Sequence, residues 1–129
     1  MISQTSYTER IELQSCSIYK RTDGILVYDI KPDQALSLSE VKRHLVAFLE
    51  IEKGNRSPLM VYADHLKRLG PEEKAFMNAT ISKFATKLAI VTNNPLPTFI
   101  YRIAFYLTPP PVPSQIFKSE TKALEWLKK

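Results

Sequence analysis

Short apolar segments with two different periodicities alternate along this chain, a pattern typical of a protein in which strands and helices follow one another. In residues 9–20, Ile11 and Leu13 alternate with polar neighbours and predict a first strand. Residues 25–30, Ile-Leu-Val-Tyr-Asp-Ile, predict a second strand. The Asp23-Gly24 turn between them favours an antiparallel hairpin, because this dipeptide readily adopts the positive φ that a tight turn needs.

The first helix is marked by a capping box at Ser37-Leu-Ser-Glu40. In this motif Ser37 is the N-cap and the Glu40 side chain reaches back to the amide of Ser37. Gly54 ends the helix, because glycine tolerates the left-handed conformation that follows a helix. Its apolar stripe has helical spacing and consists of Leu38, Val41, Leu45, Phe48 and Leu49.

The rest of the chain continues the alternation of apolar strands and helices. Proline at position 71 followed by two glutamates suits the first turn of a helix. The backbone N–H that proline lacks would have no partner in the helix at this position, and the acidic side chains lie near the positive end of the helix dipole. The predicted elements are a strand at 58–64, a helix at 71–84, a strand at 87–92, a helix at 96–107, an exposed proline connector at 108–113, a strand at 114–118 and a final helix capped by Ser119.

The predicted order is therefore β-β-α-β-α-β-α-β-α. Strands separated by helices imply right-handed crossovers and a mostly parallel sheet. We predict an α/β fold with a sheet of four to five strands, an antiparallel edge strand and about four helices. Because no repeat or internal linker interrupts the pattern, residues 1–129 are interpreted as a single domain.

Length and composition fit an ordinary soluble domain of 129 residues with a hydrophobic fraction of 44%. Cys16 is the only cysteine, so no disulfide forms within the chain, which suits a reducing compartment. The N-terminus lacks the basic start and apolar run of a secretory signal. No segment approaches the ~20 apolar residues of a membrane span. We therefore expect a cytoplasmic protein with no integral membrane segment.

The net charge of +5 is unevenly distributed. No acidic residue occurs between Glu73 and Glu120, a segment that contains four lysines and Arg102. One interpretation is a mildly positive surface that faces an acidic protein, a phosphate or an anionic lipid. The alternative is lysines scattered over solvated faces. Because basic residues are not interleaved with aromatic ones, nucleic acid is not an expected partner.

Three segments resemble the STAS-like domains (sulfate transporter and anti-sigma-factor antagonist), and in particular the bacterial SpoIIAA-like subset. These are Tyr19-Lys-Arg-Thr-Asp-Gly-Ile-Leu26, the strand Pro58-Leu-Met-Val-Tyr-Ala-Asp64, and the ending Ile116-Phe117 with Ala123-Leu-Glu-Trp126-Leu127. The resemblance covers nearly the whole chain. It implies a sheet with helices packed on it, and a binding or regulatory role.

The chain departs from this family at the segment that follows the strand at 58–64. Anti-sigma-factor antagonists carry a phosphorylatable serine there, whereas residues 64–74 contain no serine or threonine. The phosphorylation switch is therefore not carried over. Contacts from this loop would come from His65, Lys67 and Arg68, whose positive charge suits an acidic partner.

No residue set in the sequence predicts catalysis, a metal or a cofactor. A zinc site needs three or four His, Cys or acidic ligands, whereas His44 and His65 have no further ligand at suitable spacing and are interpreted as surface residues. Cys16 has no neighbour that would activate a thiolate and is interpreted as structural. Asp64 with Lys118 would suit a phosphoacceptor site, but the acidic pair that holds magnesium in such a site is missing. We expect no enzyme activity and no cofactor.

The helix at 96–107 is apolar nearly all round, which is typical of a buried helix. At 100° per residue, Leu96, Phe99, Ile100, Ile103, Ala104 and Leu107 share an arc that we expect to face the sheet. The opposite arc contains four residues of types enriched at protein interfaces. These predicted partner-binding residues are Tyr101, Arg102, Phe105 and Tyr106. The alternative is that the proline connector at 109–113 covers this arc.

Together these observations predict a non-enzymatic STAS-like binding module that acts through protein–protein contact or self-association, with a homodimer as the expected assembly. The alternative function is a carrier of a small hydrophobic or anionic ligand, such as a lipid, held between the third helix and the sheet.

Overall fold

The computed structural model describes residues 7–32, 36–66 and 69–129, which form a six-stranded sheet with four α-helices. A single 3-10 turn, Ile81–Lys83, follows the second helix. The elements are β1 (Tyr7–Glu12), β2 (Cys16–Arg21), β3 (Leu26–Ile30), α1 (Leu38–Glu52), β4 (Ser57–Tyr62), α2 (Pro71–Thr80), β5 (Ala85–Val91), α3 (Pro95–Leu107), β6 (Ser114–Phe117) and α4 (Glu120–Leu127).

The strands lie in sequence order across the sheet. The pairs β1–β2 and β2–β3 are antiparallel, whereas β3–β4, β4–β5 and β5–β6 are parallel. The predicted α/β class, the mostly parallel sheet and the four helices are confirmed. The sheet has one strand more than predicted, because residues 9–20 form two strands that fold back on each other instead of one long strand.

The order of the strands determines where the helices lie. Each crossover from β3 to β6 steps to the neighbouring strand in the same direction, and right-handed crossovers then place their helices on one face of the sheet. Helices α1, α2 and α3 accordingly share what we call the three-helix face, and α4 packs on the opposite face with a smaller core around Val27, Met60 and Leu127.

A continuous row of side chains crosses the three-helix face, one from each strand. Its members are paired in register from β1 to β6. Five of the six are isoleucine or valine, and the sixth is a tyrosine in the middle of the sheet. The row consists of Ile11, Ile18, Tyr28, Val61, Ile90 and Ile116.

The capping box predicted for α1 forms only in part. The amide of Glu40 donates to Ser37 Oγ at 3.3 Å, as an N-cap requires. The Glu40 carboxylate does not accept from the backbone amide of Ser37 and instead accepts a hydrogen bond from Ser15. At the other end the chain turns left-handed at Lys53 and Gly54, with φ of 52° and 89°.

Candidate functional site

An open cavity of about 650 Å³ lies on the three-helix face, between the sheet and helices α1, α2 and α3. The cavity arises because neither α2 nor α3 packs tightly on the sheet. Helix α2 has no fully buried residue, and in α3 Pro97 is the only one. The partly buried side chains of the two helices therefore leave space above the central strands.

The wall of the cavity is mostly apolar. Phe48 and Phe84 stack face to face with ring centroids 4.3 Å apart, and Tyr28 meets Phe48 edge-on at 5.3 Å. The charged side chain in the lining is that of Lys74, on α2. Apolar residues that line the cavity include Val41, Leu45, Leu59, Val61, Leu69, Met77, Leu88, Ile90, Ala104 and Phe105.

Tyr28 and His44, two of the polar residues in the lining, belong to a chain of hydrogen bonds. The Tyr28 hydroxyl lies 2.7 Å from His44 Nδ1. His44 Nε2 lies 2.8 Å from Ser15 Oγ, which donates to Glu40 Oε2 at 2.8 Å. Glu40 also pairs with Arg43 at 2.9 Å. The chain therefore connects the cavity with an ion pair at the protein surface.

The donors and acceptors of this chain determine the tautomer of His44. A serine hydroxyl has one proton, which Ser15 gives to the Glu40 carboxylate, so Ser15 accepts from His44 Nε2–H. A neutral imidazole with its proton on Nε2 has an acceptor at Nδ1. The Tyr28 hydroxyl therefore donates to His44, and all hydrogen bonds point from the cavity towards Glu40.

His44 is neutral in the folded protein over the physiological pH range. Burial lowers its pKa from 6.5 to about 4, and Arg43 acts in the same direction, whereas the nearby Glu40 opposes the shift. The sequence prediction of a surface histidine is wrong, since His44 is buried. The spacing of α1 explains the burial: His44 lies three residues after Val41 and four before Phe48, on the face directed at the sheet.

The lowered pKa predicts a stability loss in mild acid. Below pH 6.5 the unfolded chain protonates His44 while the folded protein does not, so stability falls as the pH drops from 6.5 towards 4. At about 1.4 kcal/mol per pKa unit, this one group accounts for a loss of up to about 3 kcal/mol. Urea unfolding at several pH values, compared with His44→Gln, measures it. The glutamine keeps an acceptor and a donor but does not titrate. If the free energy of unfolding fell equally with pH in the two proteins, the lowered pKa of His44 would be contradicted.

The orientation predicted for α3 is correct for Ala104, which lines the cavity, and wrong for several of its neighbours. Tyr101, Ala104 and Phe105 line the cavity. Pro97, which is four, seven and eight residues before them and so on the same side of the helix, is buried. The expected sheet-facing residues Leu96, Phe99 and Ile103 are exposed, as is the predicted partner-binding Tyr106. Leu107, also expected to face the sheet, is largely exposed but contributes to the cavity lining. Because α3 is apolar nearly all round, the spacing of its apolar residues does not show which side faces the sheet. In the structure, the buried Pro97 in the first turn marks the side that faces inwards.

The structure therefore places the predicted partner-binding residues in different environments, some against the core and some at the surface. Tyr101 and Phe105 pack against the core cluster of the three-helix face. Burial raises the pKa of the Tyr101 hydroxyl, so it remains neutral. Arg102 and Tyr106 are exposed on the outer side of α3. His65 is exposed in the loop after β4, and Lys67 and Arg68 lie outside the described residues.

Asp64 has a structural role at the ends of β4 and β5. Its carboxylate accepts from Thr92 Oγ1 at 2.7 Å and from the amide of Asn93 at 3.0 Å. The Asn94 side chain donates to the backbone carbonyl of Asp64, and Asn94 also caps α3. These hydrogen bonds connect the two loops and position the start of α3.

Sequence reasoning missed a second buried polar group, formed by Lys20, Glu52 and Ser57. Lys20 Nζ lies 3.0 Å from Glu52 Oε2 and donates to Ser57 Oγ at 2.8 Å, and Ser57 donates to Glu52 Oε1 at 2.8 Å. Glu52 is the last residue of α1, and β2 and β4 provide the other two. The partners are distant in sequence, so no local pattern indicates the contact.

Cys16 is fully buried, and burial raises its pKa to about 12, so it is a protonated core residue.

Within residues 7–32, 36–66 and 69–129, no group of three or more His, Cys, Asp or Glu side chains has an arrangement that could hold a metal ion. In the same part of the chain, no helix has the length and apolarity needed to cross a membrane.

Comparison with known proteins confirms the fold predicted from the resemblance. An uncharacterised DUF3478-family protein with a SpoIIAA-like fold, from Shewanella loihica PV-4, superimposes with a TM-score of 0.61 over 98% of both chains at 14% identity. A protein of unknown function from Arthrobacter sp. FB24 is 19% identical over 91% of this chain and 95% of its own, with a TM-score of 0.31. No curated protein matches the sequence. Residues 19–129 match the model of a domain of unknown function, DUF7793, and the chain therefore belongs to the DUF7793 family.

Proposed function

We propose that this protein is a non-enzymatic binding module that holds a small hydrophobic molecule in the cavity of its three-helix face. The observation that carries the proposal is the cavity itself, which has a volume of about 650 Å³ and a mostly apolar lining. Binding sites for small molecules typically have volumes of about 300–1,000 Å³, apolar walls and a few polar groups that orient the ligand. The cavity has all three properties.

The location of the cavity also supports a carrier function. Its outer wall is α3, whose lining residues Tyr101 and Phe105 are only partly buried. The next turn of chain contributes Thr108 and Pro110 to the lining. A helix held mainly by such contacts has few fully buried apolar groups to stabilise its position, and regions of this kind open at low free-energy cost. Displacement of α3 would admit a ligand between the helix and the sheet.

Titration with Nile red, a neutral apolar dye, tests this function. We expect a saturable rise in fluorescence with one dye bound per chain, because the cavity removes the dye from water. A native mass spectrum of the protein purified without added ligand is the complementary measurement, in which a retained small molecule supports the proposal. Dye fluorescence that rises linearly without saturation, together with a spectrum of ligand-free protein only, would contradict it.

A second candidate function, self-association, is favoured by the outer side of α3. Phe99 is 62% exposed and Tyr106 is 86% exposed, with Leu96, Ile103 and Leu107 also exposed beside them. Contiguous apolar groups on a surface mark interaction sites more often than isolated ones do. The occupant that we propose is a second copy of the chain, with the outer sides of two α3 helices in contact.

Light scattering of the double variant Phe99→Ser with Tyr106→Ser tests the homodimer. Each large side chain buried in the contact stabilises the dimer by roughly 1.5–3 kcal/mol, so we expect the variant to be monomeric at concentrations where the unmodified protein is dimeric. Val46→Ser is the matched control, because Val46 is an exposed apolar residue on α1. An unmodified protein that is monomeric at high micromolar concentration would exclude self-association.

A further inference from the structure

We infer that the cavity selects apolar molecules with a hydrogen-bond-donating head, such as a hydroxyl group, and that the oxygen of Tyr28 accepts this hydrogen bond. The inference rests on the proposed function, since it names the class of ligand for the same cavity. It follows from the direction of the hydrogen-bond chain that ends at Tyr28.

The polar end of the cavity offers an acceptor because the proton of Tyr28 is already in use. The Tyr28 hydroxyl donates to His44 Nδ1 at 2.7 Å. His44 cannot reverse this bond, since its single proton is on Nε2 and is donated to Ser15 at 2.8 Å. Ser15 in turn donates to the ion-paired Glu40. What remains available at Tyr28 is an oxygen lone pair, and a ligand must donate to use it.

The surroundings of Tyr28 strengthen its preference for a neutral donor. Hydrogen bonds that point in one direction polarise one another, so an oxygen that donates into such a chain becomes a better acceptor. The low polarity of the cavity makes the same bond stronger than it would be in water. A carboxylate head has no proton to donate to the Tyr28 oxygen, and the cation of the lining that could pair with it is Lys74, on α2, outside the chain of hydrogen bonds.

Tyr28 also lies where a ligand head would be enclosed. Tyr28 belongs to the central row of the sheet, between Ile18 and Val61, and it is buried. The edge-on contact with Phe48 fixes its ring. An apolar chain that extends from this point would lie against the side chains of α1, α2 and α3 that form the walls.

Three probes of matched size separate the head-group chemistries: decan-1-ol, which donates and accepts; methyl nonyl ether, which only accepts; and decanoate, which is anionic. Each is titrated against protein that contains Nile red, and the displacement gives its affinity. A net hydrogen bond contributes about 0.5–1.5 kcal/mol, so we expect decan-1-ol to bind roughly two- to tenfold more tightly than the ether. We expect the affinity of decanoate, which has no proton to donate, to be unchanged in variants of Tyr28.

Two variants assign the preference to Tyr28. In the double variant Tyr28→Phe with His44→Leu, the alcohol and the ether should bind equally. In Tyr101→Phe, which removes the other tyrosine hydroxyl that lines the cavity, the ratio of their affinities should be unchanged. Because Tyr28→Phe leaves Nδ1 of His44 without its donor, the double variant Tyr28→Phe with His44→Leu removes both polar groups together and retains the packing.

The outcomes distinguish this inference from the proposed function. Equal affinities for the alcohol and the ether in the unmodified protein would overturn the inference while the cavity remained a binding site. A preference that persists in the double variant, or that disappears in Tyr101→Phe, would also overturn it. Failure of Nile red and all three probes to bind would overturn both the inference and the proposed function.

Discussion

Replacement of Lys20 by methionine is expected to destabilise the protein by about 3–5 kcal/mol. Glu52, the partner of Lys20, has a side chain that is only 1% exposed. Without the ammonium group, its carboxylate would be buried with Ser57 as its remaining side-chain donor. The destabilisation therefore reflects the cost of an uncompensated buried charge more than the strength of the ion pair itself.

Chemical denaturation of matched variants measures this effect. Lys53→Met is the control, since Lys53 is 72% exposed and pairs with the exposed Glu9, and we expect a change below about 1 kcal/mol. The double variant Lys20→Met with Glu52→Leu should recover most of the lost stability, because it removes both charges. If Lys20→Met and Lys53→Met lost the same small amount of stability, the buried ion pair would be disproved.

Replacement of Ala104 by tryptophan is expected to weaken binding of an apolar ligand by about three to four orders of magnitude. Ala104 lies on the inner side of α3 and lines the cavity, so the indole ring would occupy the space of the ligand. A tryptophan buries roughly 150–250 Å² of surface, and at about 25 cal/mol per Å² the ligand contacts that it replaces amount to about 4–6 kcal/mol. Each 1.4 kcal/mol changes the dissociation constant tenfold.

The neighbouring residue provides the control for this variant. Ile103 is exposed on the outer side of α3, so Ile103→Trp introduces the same side chain outside the cavity and should leave the affinity for Nile red nearly unchanged. Thermal unfolding of both variants by circular dichroism shows whether they remain folded. A folded Ala104→Trp protein that binds the dye as tightly as the unmodified chain would show that the ligand lies elsewhere.

The elements of the fold could be predicted because their signals are local. The hydroxyl of Ser37 caps α1, Pro71 begins α2 and Ser119 caps α4, and in each case the partners lie within a few residues. The mostly parallel sheet follows from the alternation of these elements. The sequence does not reveal the split of residues 9–20 into β1 and β2, because the alternation continues through the bend and the antiparallel pairing of β1 with β2 is what shows the reversal.

The polar groups of the site could not be predicted, because their partners are far apart in sequence. Ser15 and His44 are 29 positions apart, and Lys20 and Glu52 are 32 positions apart. His44 and Glu40 are polar residues that a helical pattern assigns to the surface, yet the hairpin of β1 and β2 places Ser15 against both of them. The structure also changes the role of Tyr101 and Phe105 from an outer surface to the wall of a cavity.

The most direct test of the central claim is a methyl NMR spectrum of the protein titrated with decan-1-ol, which reports where the molecule binds. The account predicts saturable shifts at methyl groups that line the cavity, such as those of Val61, Leu88 and Ala104. It predicts little change at Val27 and Leu127, in the separate core under α4. Shifts confined to the exposed outer side of α3, or no shifts at all, would contradict the proposal that the cavity holds a small hydrophobic molecule.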